Sequence, residues 1–98
     1  MPINYKKISE ASFQKKVLKW LNSIENNYSF KVVKASRNGV HDIISCHNGV
    51  FKSTEVKKES GKMTSLQKYH AIEIELAKGK WFEVRPSTFE EYKKAFML

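Results

Sequence analysis

The chain has 98 residues, of which 41% are hydrophobic and twelve are aromatic, enough for one domain with a single core and too apolar for a disordered segment. Eighteen Lys and Arg against ten Asp and Glu leave a net charge of +8, which points to an anionic partner, nucleic acid being the commonest, with a merely solvated lysine-rich surface as the alternative. No apolar run reaches membrane-spanning length, the opening Met-Pro-Ile-Asn-Tyr-Lys-Lys lacks a signal-peptide segment, and the lone Cys46 has no internal disulfide partner; a reducing cytoplasm without membrane association is expected.

Residues 1–8 form a polar, basic lead-in. Ser9 can cap a helix to about Ser23, with Phe13, Val17, Trp20, Leu21 and Ile24 at helical spacing and Lys15, Lys16 and Lys19 on the other side. Glu10 falls on the apolar, inward side of that helix, which suggests a role at an internal site; a first-turn acid favoured by the helix dipole is the alternative. After a loop at Glu25-Asn26-Asn27, Tyr28–Ala35 alternates in part and reads as a first strand. Ser36–Gly39 turns into Val40–Cys46 and Val50–Lys57, two β-prone runs joined at Asn48-Gly49. Lys58–Lys62 is a charged loop, and Thr64 starts a helix through about Lys78, stopped by Gly79. Lys80–Arg85 is a last strand closed by Pro86, and Ser87 or Thr88 opens a final helix with Phe89, Tyr92 and Phe96 on one face. The order α-β-β-β-α-β-α predicts a single α/β sandwich domain over 1–98 with a small mixed sheet. Trp20 and Trp81 are expected in its core.

Asn-Gly between β-prone runs is the strongest short-range hairpin signal, because both central residues of a type I′ turn need φ > 0. With those two residues as the loop, His47 faces Val50 and Asp42 lies opposite Glu55, while Lys57 shares the face of Glu55. Opposed carboxylates destabilise a sheet unless something neutralises them, and a divalent cation with oxygen ligands is the obvious candidate. Phosphodiester hydrolysis needs an activated water and neutralised phosphoryl charge; two carboxylates holding Mg²⁺ beside a lysine can supply both. A Glu-x-Lys triplet alone fits a solvated strand face. Its conjunction with Asp42 across a hairpin in a basic domain is more specific.

Asp42, a hairpin, then Glu55-Val56-Lys57 resembles the PD-(D/E)XK nuclease superfamily, and from about Glu10 to Pro86 the surroundings resemble its VRR-Nuc branch. The resemblance implies a restriction-endonuclease-like αβββαβ core. It implies Asp42, Glu55 and the backbone carbonyl of Val56 as ligands of Mg²⁺ or Mn²⁺, Lys57 as the catalytic lysine, and Glu10 assisting the metal. Gln67, in Gly61-Lys62-Met63-Thr64-Ser65-Leu66-Gln67, matches the glutamine at the start of the helix after the Glu-x-Lys strand. The implied activity is metal-dependent endonuclease cleavage of branched DNA, in the manner of a homodimeric Holliday-junction resolvase in a phage or bacterial setting. One departure is His41, where the family usually has proline before the aspartate.

Gln67 also completes a capping box with Thr64, so a structural role competes with the catalytic one. His41, Cys46, His47 and His70 follow no zinc-finger or ribbon spacing, and adjacent Cys46 and His47 point to opposite faces of a strand. Lys34, Arg37, Lys52, Lys58, Lys62 and Lys68 lie near the hairpin or its flanking loops and are candidate phosphate contacts, which position a duplex without reading its sequence. Two rival expectations are a non-catalytic DNA-binding module that retained the fold, and an assembly subunit whose basic surface meets an acidic protein.

Overall fold

The Asn48-Gly49 hairpin forms as its residues dictate, with φ of 50° and 81° at the two turn positions. It joins β2 (Ile43–His47) to β3 (Val50–Val56), paired antiparallel in the expected register from His47 against Val50 to Ile43 against Thr54. This is a computed structural model, and it describes residues 3–98; Met1 and Pro2 of the lead-in lie outside the described residues, and the rest of it contains a 3-10 turn, Tyr5–Lys7. Around the hairpin stand α1 (Glu10–Leu21), β1 (Asn27–Lys31), α2 (Ser65–Leu76), β4 (Lys80–Val84) and α3 (Phe89–Met97). The sheet order is β1-β2-β3-β4, with β1 and β2 antiparallel and β3 and β4 parallel across the α2 crossover. The result is a mixed α/β fold with a four-stranded mixed sheet and three helices.

The first two helix starts follow the capping chemistry, whereas at the third, expected to be capped by Ser87 or Thr88, Thr88 stands at the N-cap without a side-chain cap bond and Ser87 Oγ donates to Glu59 instead. Ser9 Oγ accepts from the Ser12 N–H at 3.2 Å, and Thr64 and Gln67 form both halves of a capping box. The third helix is entered through Pro86–Thr88, a 3-10 turn in which Thr88 Oγ1 accepts from the Arg85 N–H. On one face of the sheet, Ile43, Val56 and Val84 meet Phe13, Val17 and Leu21 of α1 and Tyr92 and Phe96 of α3. Thr54, on that face too, hydrogen-bonds to the Tyr92 hydroxyl at 2.7 Å; burial pushes the Tyr92 phenol up beyond its ordinary range. Trp20 packs half-buried against this core, edge-on to Phe89, Tyr92 and Phe96. Trp81 does not join it; its indole N–H donates to Glu75 Oε1 at 2.9 Å on the α2 side.

Several expected boundaries move, each for a physical reason. The first strand stops at Lys31 rather than Ala35, because its neighbour β2 begins only at Ile43; one last backbone bond, Val32 N–H to the Asp42 carbonyl at 2.8 Å, closes the pair. His41 and Asp42 therefore lie outside the strand expected from Val40. Helix α2 ends at Leu76, and its stop is not a left-handed Gly79. Lys78 takes the positive φ of 72°, and Gly79 is required instead for close approach, since a Cβ there would sit 2.9 Å from Ile74 Cγ2 and 3.0 Å from Phe51 Cδ1.

Candidate active site

Strand β3 is central and covered on both faces, so Ser53, Thr54 and Glu55 are all at most 1% exposed. Glu55 is thereby a buried carboxyl, and Asp42 approaches it from just outside β2. Continuing the hairpin ladder past Ile43 and Thr54 would give the Val56 N–H to the β2 backbone. Asp42 Oδ2 accepts it instead, at 2.8 Å. The same bond that ends β2 early fixes the aspartate beside Glu55.

Two groups converge on one oxygen of the Glu55 carboxylate. Lys57 Nζ lies 3.2 Å from Oε2, and Gln67 Nε2 donates to the same oxygen at 2.9 Å. Gln67 Oε1 at the same time accepts from the Thr64 N–H at 2.9 Å. The capping and site roles of Gln67 are therefore not alternatives, since the cap fixes the rotamer that presents the amide N–H₂ to Glu55. The other oxygen, Glu55 Oε1, is buried without a partner among the described residues. Burial, then the Asp42 charge, push the Glu55 carboxyl up to about 7, with Lys57 opposing them.

His41 is a buried positioning group and makes no surface for phosphate. Its Nε2 lies 2.9 Å from the Gln67 carbonyl, which can only accept, so the proton sits there; Nδ1, 2.7 Å from Ser53 Oγ, then accepts from that hydroxyl. Burial holds the imidazole below its ordinary value, in keeping with a neutral ring. His41 thus ties the residue before Asp42 to β3 and to the first turn of α2. The sequence offered a polar residue next to the aspartate, but nothing in it named the two partners.

Glu10 departs from the expectation. It is exposed rather than inward-facing, and its Oε1 meets the Lys58 N–H at a long 3.4 Å, so it borders the strand end after Lys57 rather than reaching Glu55. Among the candidate phosphate contacts, Lys34, Arg37, Lys58, Lys62 and Lys68 are exposed as required. Lys52 is not. Its even position gives it the face of Thr54 and Val56, so it points into the α3 side, 2% exposed. There its Nζ donates to the Phe96 carbonyl at 2.5 Å and to His47 Nδ1 at 3.0 Å, and lies 4.6 Å from the centre of the Phe96 ring. Missed altogether was Arg85, whose guanidinium donates through Nε and Nη2 to the Gly61 carbonyl and pairs with Glu83, bracing the loop between Lys57 and α2.

The donor chemistry suits a hard cation better than zinc. Among the described residues no three His, Cys, Asp or Glu side chains are grouped to hold a metal ion. His41, His47 and His70 are engaged by Ser53 and Gln67, by Lys52 and by the Asn38 carbonyl, and Cys46 is exposed on the sheet. Magnesium is commonly held by only one or two carboxylates, with water and substrate phosphate in its other positions. Asp42 and Glu55, with a buried oxygen of Glu55 still without a partner, fit that pattern. Among the described residues no helix is long and apolar enough to cross a membrane. Compared with family models, curated proteins and solved structures, the chain gives no significant match.

Proposed function

We propose that this protein is a Mg²⁺- or Mn²⁺-dependent endodeoxyribonuclease with a restriction-endonuclease-like core, acting on branched DNA in a bacterial or phage-infected cytoplasm as a homodimer. The observation that carries this is the Glu55 carboxyl: fully buried on a central strand, beside Asp42, with an oxygen left without a hydrogen-bond partner. Such a group costs folding free energy, and cation binding is the role that accounts for it. Asp42, Glu55 and the Val56 carbonyl would hold the ion, which when bound supplies a more acidic water and positive charge against the scissile phosphate. Gln67 fixes the rotamer of Glu55, Asp42 is held by the Val56 N–H, and the Lys57 ammonium orients the attacking water and offsets charge growing on the phosphoryl oxygens. Lys34, Arg37, Lys58, Lys62 and Lys68 supply exposed charge for backbone contacts. No helix or ribbon carries an obvious base-reading set, which favours DNA shape over sequence as the feature selected.

The exposed position of Glu10 and the engagement of Lys57 by Glu55 favour one alternative, a DNA-binding module that kept the fold without cleavage. A labelled four-way junction, a linear duplex and a single strand incubated with Mg²⁺, Mn²⁺ or chelator separate the two. Symmetric, metal-dependent junction cuts that disappear in Lys57→Ala are expected. Junction binding without cuts in either metal would leave the binding module.

A further inference from the structure

The two faces of the sheet are covered unequally. One carries both α1 and α3, whereas the other carries only α2, over β3 and β4. The β1–β2 half of that second face is bare. Tyr28, Cys46 and Phe51 are register partners and form a row across three strands, with Phe30 beside Tyr28 at 5.9 Å between ring centres. Tyr28 is 71% exposed and Phe30 and Phe51 are each 45% exposed. Between this half-sheet and α2 runs a cavity of about 330 Å³ lined by Arg37, Phe51, His70, Glu73 and Ile74 among others.

Helix α2 has a matching anomaly. Gln67, His70, Ala71 and Ile74 turn toward the sheet, and directly opposite, Tyr69, Ile72 and Leu76 form an outward apolar stripe, 45%, 58% and 71% exposed. An ordinary solvated helix would carry charge there.

We propose that the bare half-sheet is covered by α2 of a second copy of this chain, and reciprocally, so that the two α2 helices lie side by side between two sheets in a two-fold dimer. Each α2 then buries its outer stripe on Tyr28, Phe30, Cys46 and Phe51 of the other copy, and each sheet gains the second helix that its other face already has. The two surfaces belong to one chain and complement each other, as an isologous contact requires. Their six large apolar side chains expose roughly 600 Å² per copy, against about 800 Å² per partner in a standard interface and well beyond scattered surface hydrophobics. Charge agrees. In a chain of net charge +8, α2 carries Glu73 and Glu75 against Lys68 alone, so this face lacks the positive excess that would drive two copies apart.

The proposal supplies the dimer that branched-DNA cleavage calls for, but mass measurement tests it without any nuclease assay, so either idea can fail alone. Light scattering behind a sizing column should give twice the 11.4 kDa chain mass at micromolar concentration. The double variant Ile72→Glu, Leu76→Glu should run as a monomer that keeps the far-UV circular dichroism of wild type, and its melting midpoint, unlike that of wild type, should not rise with protein concentration. In a second arm, Leu76→Cys under diamide should form a covalent dimer that Cys46→Ser abolishes. A monomeric wild type would overturn the proposal and leave the face to a different protein. A dimer that survives the double variant, or a Leu76→Cys cross-link indifferent to Cys46, would overturn this mode of pairing.

Discussion

Replacing Glu55 with glutamine should make the metal-free protein more stable, although it removes a buried salt bridge. The Glu55 carboxyl lies near 4.5 in an unfolded chain and about 7 in the fold. Between those values the folded state binds more protons than the unfolded state, so stability contributed by this group is full below about 4.5 and falls as pH rises toward 7. At roughly 1.4 kcal/mol per unit, the ionised group costs about 3 kcal/mol at pH 8. Glutamine removes that cost and keeps an acceptor for Gln67 Nε2; the attraction of Lys57, 3.2 Å away, already opposes the shift, so its loss is contained in that figure. The net gain is about 3 kcal/mol, or roughly 15 °C in Tm for a domain of this size. Thermal unfolding followed by circular dichroism at pH 5 and pH 8, in chelator, reads it as a difference between variant and wild type. That subtraction matters because His41 and His47, both lowered by burial, give the opposite slope: stability from them rises with pH toward the ordinary histidine value in both proteins. Mn²⁺ should stabilise the wild type, by about 3 kcal/mol at a hundredfold excess over its Kd, and leave Glu55→Gln unmoved. A variant less stable than wild type at pH 8, or one that still responds to Mn²⁺, would refute the assignment of Glu55 as a strained carboxylate awaiting a cation.

Three further outcomes test individual contacts. Gln67→Ala removes both the acceptor for the Thr64 N–H and the donor to Glu55, so it should cost about 1 kcal/mol in urea unfolding and move the onset of cleavage to higher pH, because the ionised carboxylate loses a donor. Lys52→Met should keep the stability of wild type within about 1 kcal/mol near pH 7, since it removes a buried charge along with its two hydrogen bonds, and it should leave junction affinity unchanged where Lys58→Ala or Lys62→Ala weakens it. The Lys52 ammonium is depressed chiefly by burial, so the wild type should also gain stability as pH climbs toward 10.5, a rise absent from the methionine variant. Gly79→Ala should cost about 1–3 kcal/mol in the same unfolding assay without any backbone strain, its Cβ meeting Ile74 and Phe51.

Where local chemistry decides structure, the sequence was readable. Asn48-Gly49 could close only a tight turn, and that turn set a register carrying Asp42 to the level of Glu55. Ser9 and Thr64 marked their helix starts because an N-cap needs only its own side chain and an N–H two or three residues on. Errors arose where a long-range partner decides. Lys52 looked like surface charge because lysine almost always is, yet strand parity put it on the face of Val56, and only the arrival of α3 turned that face into core. Glu10 looked inward on a helical wheel, but at the first position of α1 it is exposed and its carboxylate turns to the Lys58 N–H, a partner 48 residues away that no helical wheel can name.

The late start of β2, at Ile43 rather than Val40, falls at the candidate site, and the coincidence has a cause. A β2 extended back to Val40 would satisfy the Val56 N–H with backbone and leave Asp42 as one more strand residue. Ending the ladder at Ile43 frees the aspartate to hold that N–H itself, frees His41 to reach Gln67, and brings a second carboxylate to a buried one. Regular pairing has been given up just where charge is concentrated, and neighbouring groups compensate: a capping glutamine shared with Glu55, a neutral histidine bridging two elements, a lysine in ion pair. A sequence optimised for folding alone would place an apolar residue at position 55 and extend the hairpin. The local inconsistency is therefore the strongest physical argument that these residues are kept for binding a cation rather than for holding the sheet together.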